Sequence, residues 1–144
     1  MNNTVVIACY KGKKTLYDYV ATFLFTYSHI EIIVDGISYS SSLRDGGVRS
    51  KKIEFNYDNW DLYYLGIAKK KNVKLFLEFF EATKNCDYDK LSLLLKLIGI
   101  SKDVEIDKYT CYEYVARAFN ILFEANISLN LLPNTLQKEI RNWR

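Results

Sequence analysis

The dipeptide Asp35-Gly36, set between the β-favouring runs 28–34 and 37–42, constrains this chain more than any other feature. A two-residue type I′ loop needs φ > 0 at both central positions, which Asp-Gly supplies, so the segment reads as a hairpin. With Asp35 and Gly36 as the loop, Val34 lies opposite Ile37, Glu31 opposite Ser40 and His29 opposite Ser42. Side chains alternate along a strand, so His29, Glu31, Ser38, Ser40 and Ser42 share one polar face. Ile30, Ile32, Val34, Ile37 and Tyr39 form the other, which is expected to face the core.

His29 is the single histidine among 144 residues, so any chemistry needing an imidazole is committed to this hairpin. The best-placed partner is Cys111. Thr110-Cys111-Tyr112-Glu113 matches a capping box, in which Thr at the N-cap and Glu three residues on satisfy each other's backbone N–H groups. Cys111 then opens a helix continuing through Val115, Ala118, Phe119 and Leu122. The free N–H groups and partial positive charge of a helix start stabilise a thiolate and offer part of an oxyanion hole. A free cysteine is also among the residues most often buried as plain core, and Cys111 suits that reading too. Cys9, inside an apolar strand, and Cys86, in a loop, lack the helix-start feature and read as structural.

The chain length suits one domain, 1–144, with its own hydrophobic core. Residues 4–10 form an apolar run ended by Lys11-Gly12, a buried strand. Leu16, Val20, Phe23, Leu24 and Tyr27 recur at helical spacing, predicting a helix over 14–26 whose apolar stripe lies on the core. Strands are expected at 52–55 and 62–66, extending the hairpin into an antiparallel sheet. Helices follow at 72–82 and at 90–98, the second stopped by Gly99, with Leu91, Leu94, Leu95 and Ile98 on one face and burial on more than one side. Pro133 begins a last amphipathic segment that docks through Leu136, Ile140 and Trp143. The fold class is therefore α+β, an antiparallel sheet packed against helices.

Several function classes are disfavoured. A net charge of +3, with lysines scattered apart from Lys69-Lys70-Lys71, gives no nucleic-acid footprint. Three cysteines with one histidine show neither a disulfide framework nor metal-ligand spacing, so no metal and no cofactor is expected, and a reducing, cytoplasmic setting fits. No run approaches bilayer length, and the N-terminal residues lack the pattern of an export signal.

Tyr27-Ser28-His29-Ile30-Glu31, Tyr39-Ser40-Ser41-Ser42, Arg44-Asp45-Gly46-Gly47-Val48-Arg49 and the late Cys111-Tyr112-Glu113 together resemble the circularly permuted papain-like branch of the NlpC-type cysteine hydrolases. Small phage and bacterial proteins of this kind, related to the YiiX-like and lecithin:retinol acyltransferase-like groups, share the order strand, helix, histidine hairpin, sheet and cysteine helix. The resemblance implies a permuted papain-like fold with Cys111 as nucleophile and His29 as general base. It also implies a third polar group that orients the imidazole, for which Glu31, Ser40 and Ser42 are candidates. Glu31 is preferred, because a carboxylate holds the tautomer and stabilises imidazolium. Tyr112 stands where relatives carry Ser, and Asn85-Cys86-Asp87 where they place Gly before the pair matching Tyr88-Asp89. Both departures imply a narrower cleft, with Tyr27, Tyr39, Tyr109 and Tyr112 as candidate lining.

The expected chemistry is acyl transfer on a peptide-like or acyl substrate, by a peptidase or amidase, or by an acyltransferase using the same dyad. The reading from another class is a phage-type binding protein that keeps the fold and inhibits a host protein, in the host cytoplasm.

Overall fold

The computed structural model describes residues 2–97, 108–131 and 133–143. Strand β1 (Thr4–Tyr10) leads to helix α1 (Leu16–Phe25), then to the hairpin strands β2 (His29–Val34) and β3 (Ile37–Ser42). Strands β4 (Gly47–Lys51) and β5 (Trp60–Ile67), helix α2 (Lys70–Thr83), the short strand β6 (Asp87–Tyr88) and helix α3 (Lys90–Leu97) follow. Strand β7 (Lys108–Tyr109), helix α4 (Cys111–Phe123) and helix α5 (Pro133–Asn142) close the chain.

The hairpin forms as its turn dictates. Asp35 and Gly36 both have positive φ, 48° and 82°, and the register is Val34 opposite Ile37, Ile33 opposite Ser38 and Ile32 opposite Tyr39. The paired register ends at Ile32, short of the expected pairs Glu31 with Ser40 and His29 with Ser42, and Ser40 Oγ donates to the Ile30 carbonyl at 2.8 Å.

The α+β class is as expected, but the sheet is mixed rather than antiparallel. Its order is β5-β1-β2-β3-β4-β6-β7; β6 and β7 run parallel. The expected strand at 52–55 is absent, its place taken by β4 just upstream. β4 lies along β3 from Ser42 opposite Gly47 to Ser38 opposite Lys51; there β3 is exhausted, leaving 52–55 without a partner edge. β5 covers the expected 62–66 but returns to pair with β1.

The main core lies between one sheet face and helices α2 and α4. Val5, Ile7, Ile30, Ile32 and Tyr39 meet Phe76, Val115, Phe119 and Leu122 there, with Leu136 and Ile140 of α5. Trp143 packs its ring against Phe119 and Phe123. The polar hairpin face is also buried: Glu31, Ser38 and Ser40 are all but inaccessible.

Two helices turn opposite to their apolar pattern. In α1 the buried residues are Asp18 and Ala21, while Leu16, Val20, Phe23 and Leu24 point to solvent. Asp18 decides this: it closes a capping box with Thr15 and accepts from Ser28 Oγ and Arg44, so its side must face the protein. In α3, Leu91 and Leu94 are exposed, whereas Ser92 and Leu93 are buried. Asp89 accepts from Ser92 N and Oγ at the helix start, and its own N–H donates to the Tyr109 carbonyl at 3.1 Å, which ties that side to the protein. Ile98 and Gly99, the expected end of this helix, lie outside the described residues.

Candidate functional site

His29 is the first residue of β2 and Cys111 the first of α4. The tertiary fold brings these two starting points together. Thr110 caps α4 as its sequence requires: Glu113 N donates to Thr110 Oγ1 at 3.3 Å and Thr110 N to Glu113 Oε2 at 3.0 Å. Two further bonds hold the helix start against the hairpin. Ser41 Oγ donates to the Tyr109 carbonyl at 2.6 Å, and Tyr112 Oη donates to the Tyr27 carbonyl at 2.9 Å. Tyr112 is therefore a buried tether between the two halves of the site and not a wall of the cleft.

The His29 imidazole interacts with both Cys111 and Glu31. Burial alone would lower its pKa; the charge and hydrogen bonding of Cys111, followed by those of Glu31, raise it to about 9. Nε2 is 2.9 Å from Glu31 Oε1. The ring is 19% exposed and packs edge-on to Trp60, which in turn packs on Tyr10 and Phe55.

Glu31 is fixed from three directions. Ser38 Oγ donates to Oε2 at 2.5 Å, Arg49 Nη1 to Oε2 at 2.6 Å, and Arg49 Nη2 to Oε1 beside the histidine. Burial opposes the carboxylate charge, but the Arg49 bonds, then those of His29, hold its pKa well below the usual carboxylate range. Of the three candidates for orienting the imidazole, Glu31 alone makes the contact: Ser40 Oγ serves backbone carbonyls, and Ser42 Oγ accepts from Asp45 N at 3.4 Å.

Arg49 is the participant to which the sequence assigned no part in the chemistry. It lies opposite Ser40, hence on the Glu31 face, and its bidentate fork suits a carboxylate. The turn before β4 carried that signal, since β4 counted outward from Gly47 puts Arg49 on this face. Asp45 accepts from Arg49 Nε at 2.7 Å and orients the guanidinium from behind.

A cleft of about 440 Å³ opens at this end of the sheet, lined among others by Tyr10, Tyr17, His29, Arg49, Trp60 and Tyr88. The tyrosines expected there, Tyr27, Tyr39, Tyr109 and Tyr112, are instead buried in the core. Cys111 does not line the cleft and is fully buried. Tyr88 stands between: it lines the cleft and lies close enough to Cys111 for the two groups to interact electrostatically. Cys9 is buried in β1, and burial pushes its thiol far above the ordinary range; Cys86 is half-buried. Among the described residues no group of three or more His, Cys, Asp or Glu is placed to hold a metal, and no helix is long and apolar enough to cross a membrane.

Comparison with family models, curated proteins and solved structures returned no match.

Proposed function

We propose that this protein is a cysteine acyl-transfer enzyme of permuted papain-like type, a peptidase or amidase, with Cys111 as nucleophile, His29 as general base and Glu31 orienting the base. The observation that carries this reading is that the His29 imidazole interacts with both the Cys111 thiol and the Glu31 carboxylate, and that the carboxylate is clamped by Arg49. A nucleophile beside a base that is itself oriented by a third group is the arrangement covalent catalysis needs.

In this mechanism the proton of Cys111 already resides on His29, whose raised pKa of about 9 holds it there, and the sulfur attacks the carbonyl carbon of an amide or ester. The carbonyl oxygen takes up the negative charge at the backbone N–H of Cys111, the first residue of α4. His29 then protonates the leaving group, the C–N or C–O bond breaks, and a thioester remains on Cys111. Water, deprotonated by His29, hydrolyses the thioester; another nucleophile in place of water makes the same cycle a transferase. Glu31 holds the ring and stabilises its protonated form, as a buried carboxylate does more strongly than a hydroxyl.

A second reading is favoured by the burial of Cys111 behind Tyr88. A site kept closed suits a fold retained for binding another protein, with no turnover.

Iodoacetamide labelling at mildly acidic pH, read by mass spectrometry, separates the two. A catalytic dyad labels Cys111 ahead of Cys9 and Cys86, His29→Ala abolishes that preference, and an acyl-probe panel acylates wild type but not Cys111→Ala. Equal labelling of the three thiols, or a preference indifferent to His29→Ala, sinks the dyad.

A further inference from the structure

Helix α1 carries its apolar side outward. Leu16 is 81% and Phe23 89% exposed, with Tyr19, Val20 and Leu24 exposed between and beside them. Spaced i, i+3, i+4, i+7 and i+8, these five residues form one continuous helix face. The inner side is committed to the protein through Ala21 and the buried Asp18, which accepts from Ser28 Oγ at 2.9 Å and Arg44 Nη2 at 2.8 Å. The exposed face is thus a consequence of how the helix is anchored, and the rest of the described chain does not cover it. Contiguous apolar patches of this kind mark interaction surfaces.

The charges beside the patch point to its partner. Lys13 and Lys14 immediately precede the helix and are exposed, and among the described residues neither is in an ion pair. Lys13 Nζ lies 5.8 Å from the centre of the Tyr19 ring, at the border of the apolar face. A short helix with an aliphatic and aromatic face edged by free lysines has the make-up of an interfacial helix.

We propose that α1 seats the protein on the surface of an anionic phospholipid bilayer. Leu16, Tyr19, Val20, Phe23 and Leu24 enter the boundary between headgroups and acyl chains, while Lys13 and Lys14 meet the phosphates and carboxylates of the headgroups. A second copy of the chain is a poorer partner. The one acid on α1 is Asp18, buried and engaged, so a helix-on-helix contact brings no carboxylate to these lysines. Lys14 and Asp18 also line the cleft that holds His29, so the docking helix borders that cleft. Docking does not depend on Cys111.

Sedimentation of the full chain with vesicles tests this. Binding is expected to equimolar phosphatidylcholine and phosphatidylserine, to weaken with salt, and to be far weaker on phosphatidylcholine alone. Lys13→Glu with Lys14→Glu is expected to lower the affinity by at least about tenfold. Leu16→Ser with Phe23→Ser is expected to abolish it while leaving Tm unchanged, since both side chains are exposed. Cys111→Ala is expected to bind like wild type, which separates docking from the proposed chemistry. No binding to the anionic vesicles, or binding indifferent to Leu16→Ser with Phe23→Ser, overturns the proposal. So does a dimer in analytical ultracentrifugation that this double variant dissociates, without vesicle binding by wild type; that result assigns the face to a second copy.

Discussion

Glu31 Oε1 lies 2.9 Å from His29 Nε2, and the same carboxylate is gripped by Arg49. The residue that orients the imidazole is therefore also one half of a buried ion pair, and orientation and stability are linked through it. Arg49 is only 15% exposed, so neither partner is rescued by water when the other is removed.

Glu31→Gln is expected to destabilise the fold by about 3 kcal/mol, near the low end for a broken buried pair, because Arg49 loses its buried carboxylate but keeps Asp45. Glu31→Gln with Arg49→Met should recover most of that loss without recovering the oriented histidine. Urea denaturation of the single and double variants, alongside labelling of Cys111, checks both halves: restored stability with a lost labelling preference is the expected pair of results.

Stability should depend on pH at both ends. His29 is raised from 6.5 to about 9, so its contribution is fully present below its unfolded value and fades as pH rises through about 9. Glu31 is depressed, so its contribution is present above the unfolded carboxylate range, about 4.3, and is lost as pH falls below it. Denaturation midpoints measured across pH should thus fall away on both sides of a plateau. Cys111→Ala should move the alkaline fall to lower pH, because Cys111 is the larger of the two influences raising the histidine.

Tyr88 covers the thiol, and Tyr88→Ala should expose it. Alkylation of Cys111 by iodoacetamide is expected to accelerate by about an order of magnitude, with Cys9 unchanged because it is buried in β1 away from the cleft. An unchanged Cys111 rate would show that another group shields the sulfur.

Gly47 sits where β6 crosses closest to β4. A Cβ there would come within 2.1 Å of the Cys86 carbonyl oxygen, and φ is +154°. Gly47→Ala is expected to cost about 2–4 kcal/mol through this backbone clash and to loosen β6, which carries Tyr88. Faster hydrogen exchange at Val48 N, which donates to the Cys86 carbonyl at 3.0 Å, is the local signature to look for.

Local physics made part of this protein legible in its sequence. The Asp35-Gly36 turn determined the hairpin register, because positive φ at two adjacent positions permits only one kind of tight loop. Thr110 and Glu113 determined that Cys111 begins a helix, and the period-two alternation placed His29 with Glu31. Each of these is settled by residues a few positions apart.

Tertiary contacts decided the rest. Apolar periodicity locates a stripe on α1 but cannot say which way the stripe faces; the long-range bonds of Asp18 to Ser28 and Arg44 turned it outward. In α3 the long-range bond is that of Asp89 N to the Tyr109 carbonyl at 3.1 Å, on the side where Asp89 and Ser92 are buried in place of Leu91 and Leu94. The partnership of Arg49 with Glu31 depends on how β4 lies along β3, and the approach of Cys111 to His29 depends on how α4 docks against the sheet. Such meetings are set by the packing of elements distant in the chain, where a single buried carboxylate or carbonyl in need of a partner outweighs the preference of a local pattern.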